Sequence, residues 1–258
     1  MDLELKGKRA LVSGSTAGIG LAIATALAKE GVDVIVNGRT EPRVREAVKK
    51  SGAKHGIAAD LGTEEGAQQV TAQFDQVDIL VNNLGIFEPK PFEQISDADW
   101  RRFFDVNVLS GVRLSRHYLP GMKQRNWGRV LFISSESGLQ IPVEMIHYGM
   151  TKTAQLAVSR GLAETTAGTG VTVNAILPGP TASEGVAGFV DQLAKSKGVS
   201  REAVEREFFK TARPSSIIQR FATPEEVAAL VAFVASPLAA AINGAALRVD
   251  GGVVRSIA

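Results

Sequence analysis

Short apolar runs alternate with segments of helical periodicity along almost the whole chain. The runs are apolar nearly throughout rather than at every second position, which is typical of strands in a parallel sheet covered on both faces. The longer segments between them repeat apolar residues every three or four positions, as helices packed on a sheet do. The alternation predicts a single α/β domain over residues 1–258, with a doubly wound sheet of about seven parallel strands and helices on both faces.

The boundaries of these elements follow from the same pattern. We predict strands at Arg9–Ser13, Asp33–Asn37, Lys54–Ala59, Ile79–Asn82, Arg129–Ile133, Val171–Leu177 and Ala245–Val249. We predict helices at Gly18–Glu30, Pro42–Ser51, Thr63–Phe74, Asp97–Gln124, Glu144–Ala167 and Pro224–Ala235. Thr223 and Glu226 form a predicted capping box at the start of the last helix.

The segment at about 181–221 does not follow the alternation, because it is polar and only partly helical. It leaves the carboxyl end of the sixth predicted strand, where open α/β sheets bind their ligands. Its length of about 40 residues is long for a simple connection. We predict a substrate-loop insertion that acts as a lid, with a solvated helical pair as the alternative. The apolar residues on which the lid prediction rests are Val186, Phe189, Val190, Leu193, Phe208 and Phe209.

Composition narrows the class of protein. The 258 residues include 29 Lys and Arg and 27 Asp and Glu, a net charge of +2, and the charges are interspersed. Without a basic block we expect no nucleic-acid partner, and without an apolar stretch of about 20 residues we expect no membrane insertion. The chain has no cysteine, and because its first residues lack a basic segment followed by an apolar one, we expect no secretory signal. These features exclude disulfides and thiolate metal sites and favour a cytoplasmic location.

A glycine-rich turn follows the first predicted strand and leads into a helix with the spacing G-x-x-x-G-x-G. Glycines allow the backbone to approach a ligand closely, and the free N–H groups of a helix N-terminus attract a pyrophosphate. The pattern favours nucleotide binding, and an ordinary strand–helix turn is the alternative. The residues predicted to contact a nucleotide here are Gly14, Ser15, Thr16, Gly18, Ile19 and Gly20.

A tyrosine and a lysine stand four positions apart in a predicted helix. Tyr148 and Lys152 therefore share one face of the helix, and Ser135 follows the fifth predicted strand. A phenol of pKa about 10 is a poor acid–base group near neutrality unless a cation stabilises its phenolate, and Lys152 could supply that field. Ser135 could orient a substrate oxygen. The alternative is a solvated amphipathic helix face.

Six motifs, in this order, make the chain resemble the short-chain dehydrogenase/reductase family over residues 7–252. They are the three glycines Gly14, Gly18 and Gly20, then Asn82-Asn83-Leu84-Gly85, Asn107, Ser135, the pair Tyr148 and Lys152, and Pro178-Gly179. Ser13 and Leu84 depart from the family's usual threonine and alanine. The similarity extends in a general way to 3-oxoacyl-carrier-protein reductases, and it implies a Rossmann-type fold.

The resemblance implies a role for each matching residue. Tyr148 is implied as the general acid/base, and Lys152 as the residue that lowers the pKa of Tyr148 and holds the nicotinamide ribose. Ser135 is implied to position the carbonyl, and Asn107 to anchor a water of the proton relay. The remaining implied cofactor contacts are Asp60, Leu61, Asn83, Gly85, Pro178 and Gly179, although Asp60 could instead cap the following helix.

The choice of nicotinamide rests on the end of the second strand. A site that prefers NAD usually has a carboxylate there, whereas this chain has Arg39 after Asn37-Gly38. Arg39 could hold the 2′-phosphate of NADP, so NADP is favoured over NAD. The alternative is that Arg39 is merely the exposed start of a helix.

These observations predict NADPH-dependent reduction of a ketone to a secondary alcohol, or the reverse reaction, with a small carbonyl or alcohol substrate. An NAD-dependent alcohol dehydrogenase and a non-catalytic cofactor-sensing scaffold are the alternatives. His55 and His117 lack metal-ligand spacing, so no metal is expected. His147 is interpreted as a wall or surface residue, whereas Glu136 is equally consistent with substrate contact and with solvation.

A homotetramer is also expected. The helix from Asp97 has apolar residues on more than one stripe, and one stripe suffices for packing on a sheet. The resemblance implies that the Glu144–Ala167 helix joins it in a four-helix interface. The apolar residues concerned are Phe103, Phe104, Val106, Val108, Leu109, Val112 and Leu114.

Overall fold

The computed structural model describes residues 1–257, except for the side chains of Phe189, Leu193 and Lys197. Its centre is a seven-stranded parallel sheet with the strand order β3-β2-β1-β4-β5-β6-β7, which confirms the predicted doubly wound sheet. The strands are β1 (Arg9–Val12), β2 (Asp33–Gly38), β3 (His55–Ala58), β4 (Ile79–Asn82), β5 (Gly128–Ile133), β6 (Val171–Pro178) and β7 (Ala246–Val249).

Helices cover both faces of this sheet. They are α1 (Gly18–Lys29), α2 (Glu41–Ser51), α3 (Glu64–Gln73), α4 (Asp97–Phe104), α5 (Ser110–Gln124), α6 (Ile146–Glu164), α7 (Glu184–Lys197), α8 (Arg201–Thr211) and α9 (Pro224–Val234). The predicted capping box of α9 is confirmed, because Thr223 accepts from the Glu226 amide and the Glu226 side chain accepts from the Thr223 amide. None of the helices in residues 1–257 is long and apolar enough to cross a lipid bilayer.

Neighbouring residues of a strand are buried on opposite faces of the sheet. Val12 packs in a cluster with α1 and α9, while Leu11 packs in a second cluster with α3 and α5. Both residues are fully buried. This double coverage explains why the strands are apolar throughout instead of alternating.

The strand order reverses between β1 and β4, because β1 pairs with β2 on one side and with β4 on the other. At such a point the connections leave in opposite directions and open a crevice at the carboxyl ends of the strands. The glycine-rich turn after β1 and the turn after β4 both lie at this crevice. The fold therefore places the predicted site residues at one edge of the sheet.

The long helix predicted over Asp97–Gln124 is wrong as a regular element. A π-helical turn at Asp105–Leu109 separates α4 from α5 and contains Asn107. A π-helical turn accommodates one more residue than a regular turn, and such turns are frequent at functional sites. The predicted helix Glu144–Ala167 also begins later, at Ile146, after a 3₁₀ turn at Val143–Met145.

The segment at about 181–221 forms two helices, α7 and α8, that pack on each other. Val190, Ala194 and Val204 form a small buried cluster between them. A β-bridge joins Thr181 to Ala222, so the two ends of the segment lie side by side. Phe189 and Leu193 were also predicted to contribute apolar side chains to the lid, and their side chains lie outside the part that the structure describes.

Candidate active site

The glycine turn leaves the N-terminus of α1 open to a ligand. Gly14 and Gly18 have positive φ angles of 60° and 55°, which favour glycine. A Cβ atom on Gly20 would lie 2.6 Å from the Gly14 carbonyl oxygen, so the turn closes only around glycine. The N-cap Ala17 makes no side-chain cap, and the first turn of α1 has no acidic residue. The N–H groups of this helix end are thus available to an anion such as a pyrophosphate.

Hydrogen bonds from the turn after β4 hold the glycine turn in place. The Ser13 hydroxyl accepts from the amides of Asn83 (2.9 Å) and Leu84 (3.0 Å). The Asn83 side chain donates to the carbonyls of Ser13 (2.9 Å) and Gly14 (3.0 Å). Leu84 packs directly on Gly14, where a Cβ would lie 3.1 Å from the Leu84 Cα. The absence of a side chain at Gly14 accommodates the larger Leu84.

Asn37 is a supporting residue that the sequence interpretation did not select. Its Oδ1 accepts from the Gly14 amide at 3.2 Å, and its Nδ2 donates to the carbonyls of Ile57 and Ala59. Ser15 is fully buried, donates to the Val12 carbonyl at 2.6 Å and accepts from the Asn37 amide. A polar residue within an apolar strand is the sequence feature that could have indicated Asn37.

The predicted adenosine end of the site is open. Arg39 and Asp60 are exposed beyond the ends of β2 and β3. Asp60 accepts from the Gly62 amide, while Thr63 is the residue that caps α3. The alternative interpretation of Asp60 as a helix cap is therefore wrong. Leu61 is buried in the core beneath this surface, and Thr16 and Ile19 are half-buried in the turn between β1 and α1.

Tyr148 lies at the first turn of α6 and faces Ser135, which follows β5. Burial raises the pKa of Tyr148 to about 12, and the opposing effects of a Ser135 hydrogen bond and of the Arg213 charge are smaller. This direction differs from the lowered pKa that the resemblance implies. The tyrosine in this setting holds its proton at neutral pH and can donate it.

Lys152 is 4% exposed and points toward the same crevice. Its Nζ donates to the Ile133 carbonyl at 2.9 Å and to Oε1 of Gln155 at 3.1 Å. The distance from Nζ to the ring centroid of Tyr148 is 5.6 Å. Burial lowers the pKa of Lys152 to about 7. Gly85 approaches this ammonium closely, since a Cβ there would lie 3.4 Å from Nζ.

Asn107 links the π-helical turn to the loop after β4. Its Oδ1 accepts from the Ile86 amide at 2.8 Å, and its Nδ2 donates to the Ile86 carbonyl and to the Thr151 hydroxyl. Its main-chain carbonyl accepts a hydrogen bond from Nε2 of Gln155 at 2.6 Å. The main-chain carbonyl of Asn107 thus already has a side-chain hydrogen-bond donor.

Glu136 forms a buried ion pair that the sequence interpretation missed. Arg213 follows α8 within the 181–221 segment. Its Nε donates to Glu136 Oε1 at 2.9 Å, and its Nη1 donates to Glu144 Oε1 at 3.2 Å. The side chains of Glu136 and Arg213 are only 4% and 8% exposed, so the solvated alternative for Glu136 is wrong. No spacing rule connects residues 136 and 213.

Several other predicted residues form the walls of the site. His147 is fully buried and packs on Phe103 with a ring-centroid distance of 4.0 Å, as expected for a wall residue. Pro178 ends β6, and a Cβ on Gly179 would lie 2.4 Å from the Asp250 carbonyl oxygen. Among residues 1–257, no group of three or more His, Asp or Glu side chains is arranged to hold a metal ion.

The start of the 181–221 segment covers the glycine turn. A Cβ on Gly18 would lie 3.2 Å from the Cβ of Ser183. Glu184, in the first turn of α7, pairs with Arg43 of α2 at 3.2 Å. The segment therefore extends from the glycine turn at one end to the Glu136–Arg213 pair at the other.

Comparison with known proteins identifies the family. A family model described as enoyl-(acyl carrier protein) reductase matches residues 14–254, and relatives include 3-oxoacyl-[acyl-carrier-protein] reductases. The chain belongs to the short-chain dehydrogenase/reductase family. It is accordingly an oxidoreductase, and the family's activity on CH–OH and C=O groups with a nicotinamide cofactor applies to it.

Relatives in the short-chain dehydrogenase/reductase family match the full length of the chain. Uncharacterized oxidoreductase YvaG of Bacillus subtilis (strain 168) is 51% identical over 263 residues, with 100% of both chains covered. D-beta-hydroxybutyrate dehydrogenase of Cupriavidus necator is 36% identical, with 97% of this chain and 99% of that one covered. The structure of L-sorbose reductase from Gluconobacter frateurii, complexed with NADPH and L-sorbose, has a TM-score of 0.92 at 32% identity and covers 100% of both chains.

Proposed function

We propose that the protein reduces a ketone to a secondary alcohol with NADPH, or catalyses the reverse oxidation. The observation that carries this proposal is the position of Ser135, Tyr148 and Lys152 at the crevice into which the open N-terminus of α1 points. A proton donor and an anion-binding helix end thus meet at one edge of the sheet.

The residues fit a nicotinamide dinucleotide. The uncapped helix end and the glycine turn suit its pyrophosphate, and the ammonium of Lys152 suits a ribose hydroxyl. When bound, the cofactor supplies the hydride that adds to the carbonyl carbon. NADP is favoured because β2 ends without a carboxylate and Arg39 is exposed there, while Arg43 is already paired with Glu184. The structural neighbour L-sorbose reductase was solved with NADPH, which supports the same choice.

Each catalytic side chain has one proposed task. Ser135 donates a hydrogen bond to the carbonyl oxygen of the substrate, and Tyr148 transfers its proton to that oxygen as the carbon gains the hydride. The raised pKa of Tyr148 keeps the proton on the phenol until transfer. Lys152 provides a cation that stabilises the phenolate left behind, and Asn107 supports the loop that faces Lys152. In the oxidative direction the same proton returns to Tyr148.

The 181–221 segment is the proposed substrate lid. Phe87 lies between Tyr148, at a ring-centroid distance of 6.5 Å, and Gly185 of α7. Arg213 ties the far end of the segment to Glu136, the neighbour of Ser135. The segment thus contacts both sides of the place where a carbonyl would meet Ser135 and Tyr148. Lids of this kind shield the reaction from water and select the substrate.

The test compares the two tyrosines of the chain. Tyr148→Phe deletes the transferable proton, so turnover should fall by about 10²–10⁴-fold while the affinity for NADPH stays nearly constant. Tyr118→Phe is the matched control, because the Tyr118 hydroxyl donates to the Phe74 carbonyl at 2.6 Å, at the end of α3. The control should lose some stability and keep its activity. Retention of most activity in Tyr148→Phe would exclude the proposed mechanism.

A further inference from the structure

Gln155 joins two of the proposed catalytic groups through its side-chain amide. Its Nε2 donates to the main-chain carbonyl of Asn107 at 2.6 Å, and its Oε1 accepts from Nζ of Lys152 at 3.1 Å. Both polar atoms of the amide are therefore used, one on each group. The orientation of the amide is fixed by this pair of contacts, because the carbonyl can only accept and the ammonium can only donate.

The bridge is shielded from solvent. Asn107, Gln155 and Lys152 are 1%, 2% and 4% exposed. Buried polar groups are costly unless they are satisfied, so a linked set of this kind holds its members in one arrangement. The Asn107 carbonyl belongs to the π-helical turn Asp105–Leu109, where the helical hydrogen-bond pattern is locally altered. The turn and Gln155 therefore form one structural unit with the lysine.

The bridge also determines what remains free on Lys152. The ammonium has three N–H groups, and two of them are taken by the Ile133 carbonyl and by Gln155. Two acceptors at fixed positions leave one N–H direction for a further partner. A carboxamide has no readily transferable proton, unlike water or a hydroxyl. The side-chain amide of Gln155 therefore does not pass a proton between Lys152 and the Asn107 carbonyl.

We propose that Gln155 is a positioning residue: its amide, held by the Asn107 carbonyl, fixes the ammonium of Lys152 and occupies the place between them that a relay water would need. This inference rests on the proposed function for its catalytic consequence, but the link between Gln155 and Lys152 can be measured without cofactor or substrate. Gln155 lies one helical turn after Lys152, so the two side chains share a face of α6.

Among the described residues around α6, Gln155 is the side chain that accepts a hydrogen bond from the ammonium, beside the main-chain carbonyl of Ile133. Tyr148 is the titratable group on α6 itself that lies near Nζ. The elements packed against α6 are the turns at 105–109, 136–138 and 143–145, the strands β5 and β6, and α4. Their charged residues are Asp105 (3.8 Å from Arg113), Glu136 and Glu144 (both paired with Arg213), Arg129 at the opposite end of β5, and Asp97, Asp99, Arg101 and Arg102 of α4.

Two substitutions at Gln155 should shift the pKa of Lys152 in opposite directions. Gln155→Met keeps the length of the side chain and removes both polar atoms, so the charged form of Lys152 loses an acceptor and its pKa should fall below that of the wild type. Gln155→Glu places a carboxylate beside the ammonium, so the pKa of Lys152 should rise by about 1–3 units. NMR titration of ¹⁵N-labelled lysine side chains measures this value in the full chain without added cofactor, with Lys152→Met assigning the resonance.

The same variants separate positioning from packing in the kinetics. With Gln155→Met we expect kcat to fall by roughly tenfold to a hundredfold, since a displacement of about 1 Å in a catalytic group can cost about 10²-fold. The pH above which kcat/KM falls should be lower in Gln155→Met than in the wild type and higher in Gln155→Glu. Gln124→Met and Gln124→Glu, at the exposed end of α5, are matched controls that should change neither value.

An unchanged titration of Lys152 in both Gln155 variants would overturn the proposal and leave Gln155 as a core residue. If Gln155→Met does not fold, Gln155→Glu decides alone through the direction of its shift. Loss of the Tyr148 mechanism would not affect the titration, so failure of this inference and failure of the proposed function have different outcomes.

Discussion

Replacing Arg213 by methionine tests how strongly the 181–221 segment is anchored beside the site. Arg213 contributes hydrogen bonds to Glu136 at 2.9 Å and to Glu144 at 3.2 Å. Glu144 is 43% exposed and can be solvated without the arginine. Glu136 is buried, and its Oε2 has no hydrogen-bond partner among the described residues. The substitution therefore leaves one buried carboxylate without its counter-charge.

The expected loss is large for a single substitution. Breaking a buried ion pair by removing one partner costs about 3–5 kcal/mol of unfolding free energy. At about 2–4 °C per kcal/mol for a chain near this size, the melting temperature should fall by roughly 6–20 °C. The double variant Glu136→Gln/Arg213→Met removes both charges and should recover a good part of this loss, as measured by a double-mutant cycle.

The loss should depend on pH in a defined direction. Burial raises the pKa of Glu136 above its usual 4.5, and Arg213 opposes that shift, so its removal raises the pKa further. A carboxyl group with a raised pKa in the folded state stabilises the fold most below its unfolded pKa and loses that contribution as pH rises through the folded pKa. The deficit of Arg213→Met should thus be smaller at pH 5 than at pH 8 in urea denaturation.

A matched control is available at the surface. Arg102 pairs with Glu88 at 2.8 Å, and the two side chains are 54% and 46% exposed. Arg102→Met should cost about 0–1 kcal/mol, because water replaces the lost partner. If Arg213→Met were no less stable than this control at pH 8, the desolvation of the Glu136–Arg213 pair would be refuted.

Two further predictions concern the cofactor and the assembly. Arg39→Ala should weaken NADPH binding by about 1.5–3 kcal/mol and leave NADH binding nearly unchanged in a fluorescence titration, with the exposed Arg45→Ala as control; equal losses for both cofactors would make Arg39 a structural residue. The protein should have the mass of four 27.3 kDa chains in light scattering, because Phe104 of α4 is 38% exposed and extends the apolar surface; a monomer at micromolar concentration would contradict this.

The sheet was predictable because burial on both faces requires apolar residues along the whole of each strand. β4 was predicted with the bounds Ile79–Asn82 that the structure has, and the other strands differ by one residue at one end or, for β3, at both ends. The glycine turn was equally visible, since Gly14 and Gly18 have positive φ angles and a side chain on Gly20 would meet backbone atoms. The strand pattern and the glycine turn were predictable because packing constrains every residue of these elements.

Other features depend on single long-range contacts and left no pattern. The π-helical turn at Asp105–Leu109 adds one residue to a helix whose apolar spacing remains compatible with regular geometry. Arg213 and Glu136 are 77 positions apart, and each alone looks like a surface charge. Gln155 was within reach, because it lies three positions after Lys152 on the same helix, but an amide has no charge to attract notice.

Burial also reverses the electrostatics that the sequence suggests for the catalytic pair. From spacing alone, Lys152 stabilises a phenolate at Tyr148, whereas in the structure burial raises the pKa of Tyr148 to about 12 and lowers that of Lys152 to about 7. Both shifts favour the neutral side chains, because burial disfavours the charged form of each and the hydrogen-bond acceptors of the lysine are neutral. Among the described residues, an ammonium at Lys152 has only the neutral acceptors Ile133 and Gln155, so in the proposed mechanism we expect the negative charge that forms on Tyr148 to stabilise it. Under the proposed mechanism, we expect the pair to favour the charges that form during the reaction over those of the resting site.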